Sequence, residues 1–179
     1  PSTTGIGLGK AYDVVPLAIP IDLDTSQGGD QFSLRDCSGF DLHLFTGDGA
    51  AGRDVTFTVK RHVDMADTSG TTIVLGSATA LRNFWYKEGA TTVIGDGTWT
   101  KGTWSSATGA AVVVNDAEGE NSSYVVVPFE SSDLGDGYSA VSISDIVAGG
   151  SGAKIGCAFA VLRVLSVQRT PANLADVTV

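Results

Sequence analysis

The clearest pattern in this chain is an alternation of apolar and polar positions with a period of two. In Gly39–Val63, GFDLHLFTGDGAAGRDVTFTVKRHV, Phe40, Leu42 and Leu44 fall on one side and Asp41 and His43 on the other. Further along, Val55, Phe57, Val59 and His62 alternate roughly with Thr56, Thr58, Lys60 and Arg61. Successive side chains of a strand point to opposite faces, so this pattern predicts two strands, each with one buried face. The stretch between them, TGDGAAGRD, is rich in glycine and charge and predicts an exposed turn. The whole segment reads as a central hairpin.

The same reading extends in both directions. AYDVVPLAIPIDL, residues 11–23, is apolar and β-branched, but Pro16 and Pro20 cannot donate to a ladder. It is expected as an edge strand or as an extended segment lying on another surface. QFSLRDC, residues 31–37, predicts a strand pairing with the hairpin that follows. TTIVLGSATAL (71–81), read as a strand in preference to a short helix, RNFWYKEG (82–89), GAAVVVND (109–116) and YSAVSISDIVA (138–148) predict further strands. So does YVVVPFESSDL (124–134), which Pro128 would confine to an edge or a bulge. GGSGAK reads as a hairpin turn, and KIGCAFAVLRVLSVQR, residues 154–169, as a central strand. Turn signals recur every 8–14 residues, no helix stands out and no internal repeat appears, which predicts an all-β, antiparallel β-sandwich of jelly-roll type. Its expected core is Phe40, Leu42, Leu44, Val55, Phe57, Val59, Val112, Val114, Val125, Val127, Val141, Ile143, Phe159, Val161 and Leu165.

At 179 residues the chain suits one domain with a sizeable core. We divide it into a flexible N-terminal arm (1–10), a sandwich (11–169) and a C-terminal tail (170–179). The formal net charge of −9 argues against sequence-independent binding to nucleic acid and against anionic membrane surfaces. The opening PSTTGIGLGK has no basic stretch followed by an apolar run, so no secretory signal is expected, and no run is long enough to span a membrane as a helix. Cys37 and Cys157 are expected to be buried thiols, although a bridge between them stays open.

Chemistry is sparse. His43 and His62 are the only histidines, no G-x-S-x-G turn is present, and half-exposed strand histidines are the expectation. Glu88, Glu118, Glu120 and Glu130 are carboxylates that nothing pairs for glycoside hydrolysis. Asp116, Glu118 and Glu120, and likewise Asp22, Asp24 and Asp30, sit on loops, but their spacing does not match a Ca²⁺ loop, and no catalytic residue, cofactor or metal is expected. Trp85, Tyr86, Trp99 and Trp104 are candidates for a sugar-stacking platform, for core positions or for intersubunit anchors. The arms are the candidate partner-binding segments. An apolar, proline-interrupted stretch beside a flexible leader suits strand addition or groove binding, which singles out Leu8, Tyr12, Val15, Pro16 and Pro20, with Pro171, Leu174 and Val177 in the tail.

The segments AYDVVPLAIPIDL, DCSGFDLHLF, DGTWTKGT and VLRVLSVQRTPANL resemble small virion structural proteins of tailed bacteriophages, of the type that decorate or cement the capsid. The similarity runs from about residue 10 to 174. It implies a non-enzymatic protein on the capsid exterior, made in the host cytoplasm. Its partner would be the major capsid protein, and the protein itself would be a homo-oligomer, with a trimer preferred. Two other readings remain from the residues: a carbohydrate-binding or fibre-type adhesion domain and, further off, a β-sandwich hydrolase.

Overall fold

In a computed structural model the described residues are 8–9, 11–28, 30–49, 53–73, 82–89, 98–104, 122–150 and 152–166. They form ten strands: β1 (Tyr12–Asp22), β2 (Gln31–Ser33), β3 (Gly39–Thr46), β4 (Val55–His62), β5 (Thr71–Thr72), β6 (Arg82–Gly89), β7 (Thr100–Trp104), β8 (Ser122–Glu130), β9 (Ala140–Ala148) and β10 (Ile155–Arg163). A single 3-10 turn, Ser131–Leu134, is the one helical element among the described residues. The strands make two antiparallel sheets, one in the order β1-β10-β3-β8-β6-β7 and the other β2-β9-β4-β5. The all-β sandwich expected from the alternation is therefore present.

The core lies between the sheets. The six-stranded sheet contributes Val15, Phe40, Leu42, Leu44, Val125, Val127, Phe129 and Leu162, and the four-stranded sheet contributes Phe32, Val55, Phe57, Val59, Val141, Ile143 and Ile146. Three phenylalanines lock its centre. Phe40 stacks on Phe129 at 4.7 Å between ring centroids and takes Phe32 edge-on at 5.2 Å, both favoured arrangements of the ring quadrupole.

Several expectations need correction. The segment 39–63 is not a hairpin: β3 lies in one sheet and β4 in the other, so its glycine-rich connection crosses the sandwich edge. Gly-Gly-Ser-Gly-Ala-Lys likewise joins β9 to β10 across the sheets. Alternation shows which face a strand buries but not which strand it pairs with, and a long loop serves a crossing as well as a turn. β2 is shorter than expected and pairs with β9, because the chain turns at Asp36, whose φ is 62°. β8 is an inner strand despite Pro128: its ladder with β6 runs from Ser122 to Val126, and the proline lies beyond it opposite Asp41. Phe159 and Val161 face outward and are only half-buried, because β10 turns Ala158, Ala160 and Leu162 inward. The segments 109–116 and 74–81, with Val112 and Val114, lie outside the described residues.

Crossings at one end of the sandwich converge on Arg53. This residue, expected on an exposed turn, is fully buried. Its guanidinium donates to the carboxylate of Asp24, after β1, and to the carbonyls of Ala148 and Gly149, at the end of β9.

Candidate functional site

One surface breaks the usual rule that the outer face of a sheet is polar. Following the register across the six-stranded sheet, one outward row reads Pro16, Phe159, His43, Val126, Trp85, Lys101. The next row reads Cys157, Phe45, Tyr124, Lys87, and on the other side runs Val14, Val161, Asp41, Pro128. The rings lie against one another: Phe45 stacks on Tyr124 at 4.0 Å, His43 on Phe159 at 4.8 Å, and Trp99 leans on Tyr124 at 5.3 Å. Such cross-strand aromatic contacts stiffen the surface they form.

The electrostatics follow from this packing. His43 Nδ1 is 2.7 Å from the Tyr124 hydroxyl. Half-burial among rings pushes the His43 imidazole below its ordinary pKa, with the Asp41 carboxylate pulling the other way. Burial pushes Asp41 up, while Arg163 and His43 draw it down, and burial followed by Asp41 raises Tyr124. The rim is ionic. Arg163 Nε is 3.2 Å from Asp41 Oδ1, and its Nη2 is 2.9 Å from Glu130 Oε1.

Two hollows open on this face. One, of about 310 Å³, is lined by Pro20, Phe45, Gly47, Ile155 and Cys157 among others. The second, of about 430 Å³, is shallow and lined by Trp85, Trp99 and Val126.

The candidate partner-binding residues divide. Tyr12, Pro16 and Pro20 are exposed on β1, which is the sheet's edge strand and pairs with β10, and Leu8 is exposed beside it in a bridge to Tyr12. The segment 11–22 therefore packs on its own domain as an edge strand. Val15 is fully buried, a correction: alternation within β1 turns it inward between its exposed neighbours. Pro171, Leu174 and Val177 lie outside the described residues. The surface that sequence reasoning missed is the β10–β3–β8 face. Its residues were read as core or as scattered polar positions, and only the register reveals that they form one patch.

The remaining chemistry is structural in placement. His62, expected half-exposed, is buried. Its Nε2 is 2.8 Å from Ser142 Oγ and its Nδ1 is 2.7 Å from the Asp67 carbonyl oxygen. Asp67 Oδ2 is 4.0 Å away, which completes a serine–histidine–aspartate grouping. That carboxyl is held well below the usual range by the Ser69 hydroxyl and by the amides of Val63, Ser69 and Gly70. Ser142 is 2% exposed, so the grouping ties β4 to β9 inside the core. Asp22 and Asp24 hold backbone amides and Arg53, and among the described residues no three His, Cys, Asp or Glu side chains cluster as metal ligands. Glu118, Glu120 and Asp116 lie outside the described residues. Cys37 and Cys157 are both half-buried free thiols. Among the described residues no helix is long and apolar enough to cross a membrane.

Comparison with protein-family models, curated proteins and solved structures finds no match for this chain.

Proposed function

We propose that this protein is a phage capsid decoration or cement protein that docks through the outer face of its six-stranded sheet. The observation that carries the reading is the aromatic-rich, largely apolar strip from Val14 and Pro16 on β1 to Tyr124 and Val126 on β8, interrupted by His43 and by the ion-paired Asp41. Strand spacings give it an area on the order of 500 Å², the size at which exposed apolar patches mark contact sites. A flat, ring-stiffened strip with an ionic rim matches the core-and-rim anatomy of a protein interface.

The strand order supports the jelly-roll assignment. With β6 and β7 set aside, the orders β1-β10-β3-β8 and β2-β9-β4-β5 are those of an eight-stranded jelly roll, an architecture common in viral capsid and lectin domains. In this reading the partner is the major capsid protein, the site is the exterior of the head, and the protein is a homotrimer matched to threefold positions of the lattice. Binding the assembled shell and not free subunits stabilises the shell against packaged DNA by mass action.

The test is cosedimentation of the full chain with intact shells, using wild type and the Phe159→Asp/Val161→Asp variant. Wild type is expected to pellet at a copy number near that of the capsid protein. The variant, altered at outward positions, is expected to melt nearly as wild type does and to bind at least tenfold less, since a buried unpaired carboxylate costs more than one decade in affinity. Equal binding by both proteins overturns the assignment of the face, and no pelleting of wild type overturns the decoration role.

A further inference from the structure

The β6–β7 hairpin stands outside the eight-strand frame and lengthens the sheet beyond β8. It carries a cluster of residues that the docking strip does not need. Trp85 and Trp99 are 44% and 47% exposed, large values for indoles, and with Val126 they line a shallow hollow. Two lysines belong to the same outward face. Lys101 is the register partner of Trp85 on β7, and Lys87 Nζ lies 5.3 Å from the Trp99 ring centroid. Trp99 is thus held between Lys87 and Tyr124. Beyond Trp85 the polar edge is completed by the Asn83 side chain, which accepts from the Thr103 hydroxyl at 3.1 Å. On the outward positions of the described β6–β7 residues there are two lysines and no acid, in a chain whose net charge is −9.

From this geometry we infer that the Trp85–Trp99 cleft binds an acidic sugar unit of a glycan. A pyranose ring has an apolar C–H face that stacks on indole, and the cleft offers two indoles and the methyls of Val126. The lysines then select the ligand. A carboxylate on the sugar would meet Lys87 and Lys101, gaining charge-assisted hydrogen bonds. An apolar peptide side chain in the same cleft would instead cover two ammonium groups without a partner for either, which is costly. The indoles are positioned before any ligand arrives, so little ordering cost is added on binding. The cleft adjoins the docking strip and shares Val126 and the Tyr124 contact with it, but its two indoles and its lysines lie on or beside β6 and β7, outside the strip.

The test uses the free full-length protein, so it does not depend on shell binding. A galacturonic acid trisaccharide and a neutral maltotriose are titrated while tryptophan fluorescence and heat are followed. The acidic sugar is expected to shift the emission and to bind at least tenfold more tightly than the neutral one. Trp99→Ala and Trp85→Ala are each expected to weaken it about tenfold, the loss of one aromatic stacking partner. Lys101→Gln is expected to weaken it several-fold and to flatten its dependence on salt. All three positions are exposed on strands or beside them, and unchanged melting of the variants keeps the comparison fair. The inference is overturned if the two sugars bind equally, if neither binds at about 10 mM, a concentration well above a millimolar Kd, or if Trp99→Ala abolishes shell cosedimentation while leaving sugar binding unchanged.

Discussion

His43 shows how one side chain is set by its neighbours. It lies flat between Phe159 and Tyr124, and that half-burial disfavours its charged form. A lowered folded pKa means that the unfolded chain takes up the proton first as pH falls. The contribution of His43 to stability is therefore complete above its unfolded pKa near 6.5 and is lost as pH falls below it toward the folded value. Asp41, whose pKa is raised, works in the opposite sense: its burial cost is relieved as pH falls toward the carboxylate range. On acidification the His43 window opens at 6.5, and the Asp41 window closes at 3.8. We expect the melting temperature of wild type to drop between pH 7.5 and 5.5 by more than that of His43→Gln, measured by calorimetry at constant ionic strength. Identical slopes for the two proteins would show that the ring is not desolvated. At this scale the sequence was legible in part. Asp41 and His43 were placed outward correctly by alternation, but their aromatic neighbours come from β8 and β10, more than 80 residues away in each case, and local pattern holds no record of such distant packing.

At the scale of elements, β6 and β7 depend on a glycine. Gly102 on β7 is opposite Phe84, and the Phe84 ring occupies the space where a β-carbon at Gly102 would stand. An aromatic ring laid over a cross-strand glycine fills a gap that would otherwise weaken the ladder. Gly102→Val must push that ring aside. We expect a loss of about 1–3 kcal/mol, the usual cost of overpacking, read from the midpoint of urea denaturation. A faster exchange of the β6 and β7 amides should accompany it. A change below about 0.5 kcal/mol, the range of ordinary surface substitutions, would mean that the ring has another place to go. The existence and bounds of most strands were readable from period-two alternation, since β3, β4, β6 and β9 fall close to their expected spans, while β10 ends at Arg163, short of the expected residue 169. Their pairing was not. Both expected hairpins turned out to be crossings between sheets, because glycine and charge mark a loop without recording its destination. Inward and outward also reversed on β10, where both alternating sets are apolar and only the small alanines on one side fit against the opposing sheet.

At the scale of the whole molecule, Arg53 brings three crossings together at one end of the sandwich. Its partners after β1 and at the end of β9 are brought there by separate excursions of the chain. Removing the guanidinium takes a donor from the buried Ala148 carbonyl and from that of the exposed Gly149, and opens a cavity. Arg53→Ala should lower stability by on the order of 2–4 kcal/mol, with the denaturant slope unchanged. A loss under about 0.5 kcal/mol would show that water replaces the guanidinium at little cost. A fully buried arginine was not readable from the sequence, where Arg53 sits in a glycine-rich stretch that looks like any solvated loop.

The pairing of β1 with β10 has a further consequence. β1 lies at the edge of its sheet, and β10 is its one strand neighbour. A ribosome makes the two more than a hundred residues apart, so at ordinary elongation rates β1 waits on the order of ten seconds for the strand that receives it. During that wait Val15 and Leu17, which the finished fold buries, are bare beside Tyr12, Val14 and Ile19. Pro16 and Pro20 then take on a second meaning. Each interrupts the row of amide donors that another nascent chain would need in order to zip onto β1, and so guards an apolar segment during its brief exposure on the polysome.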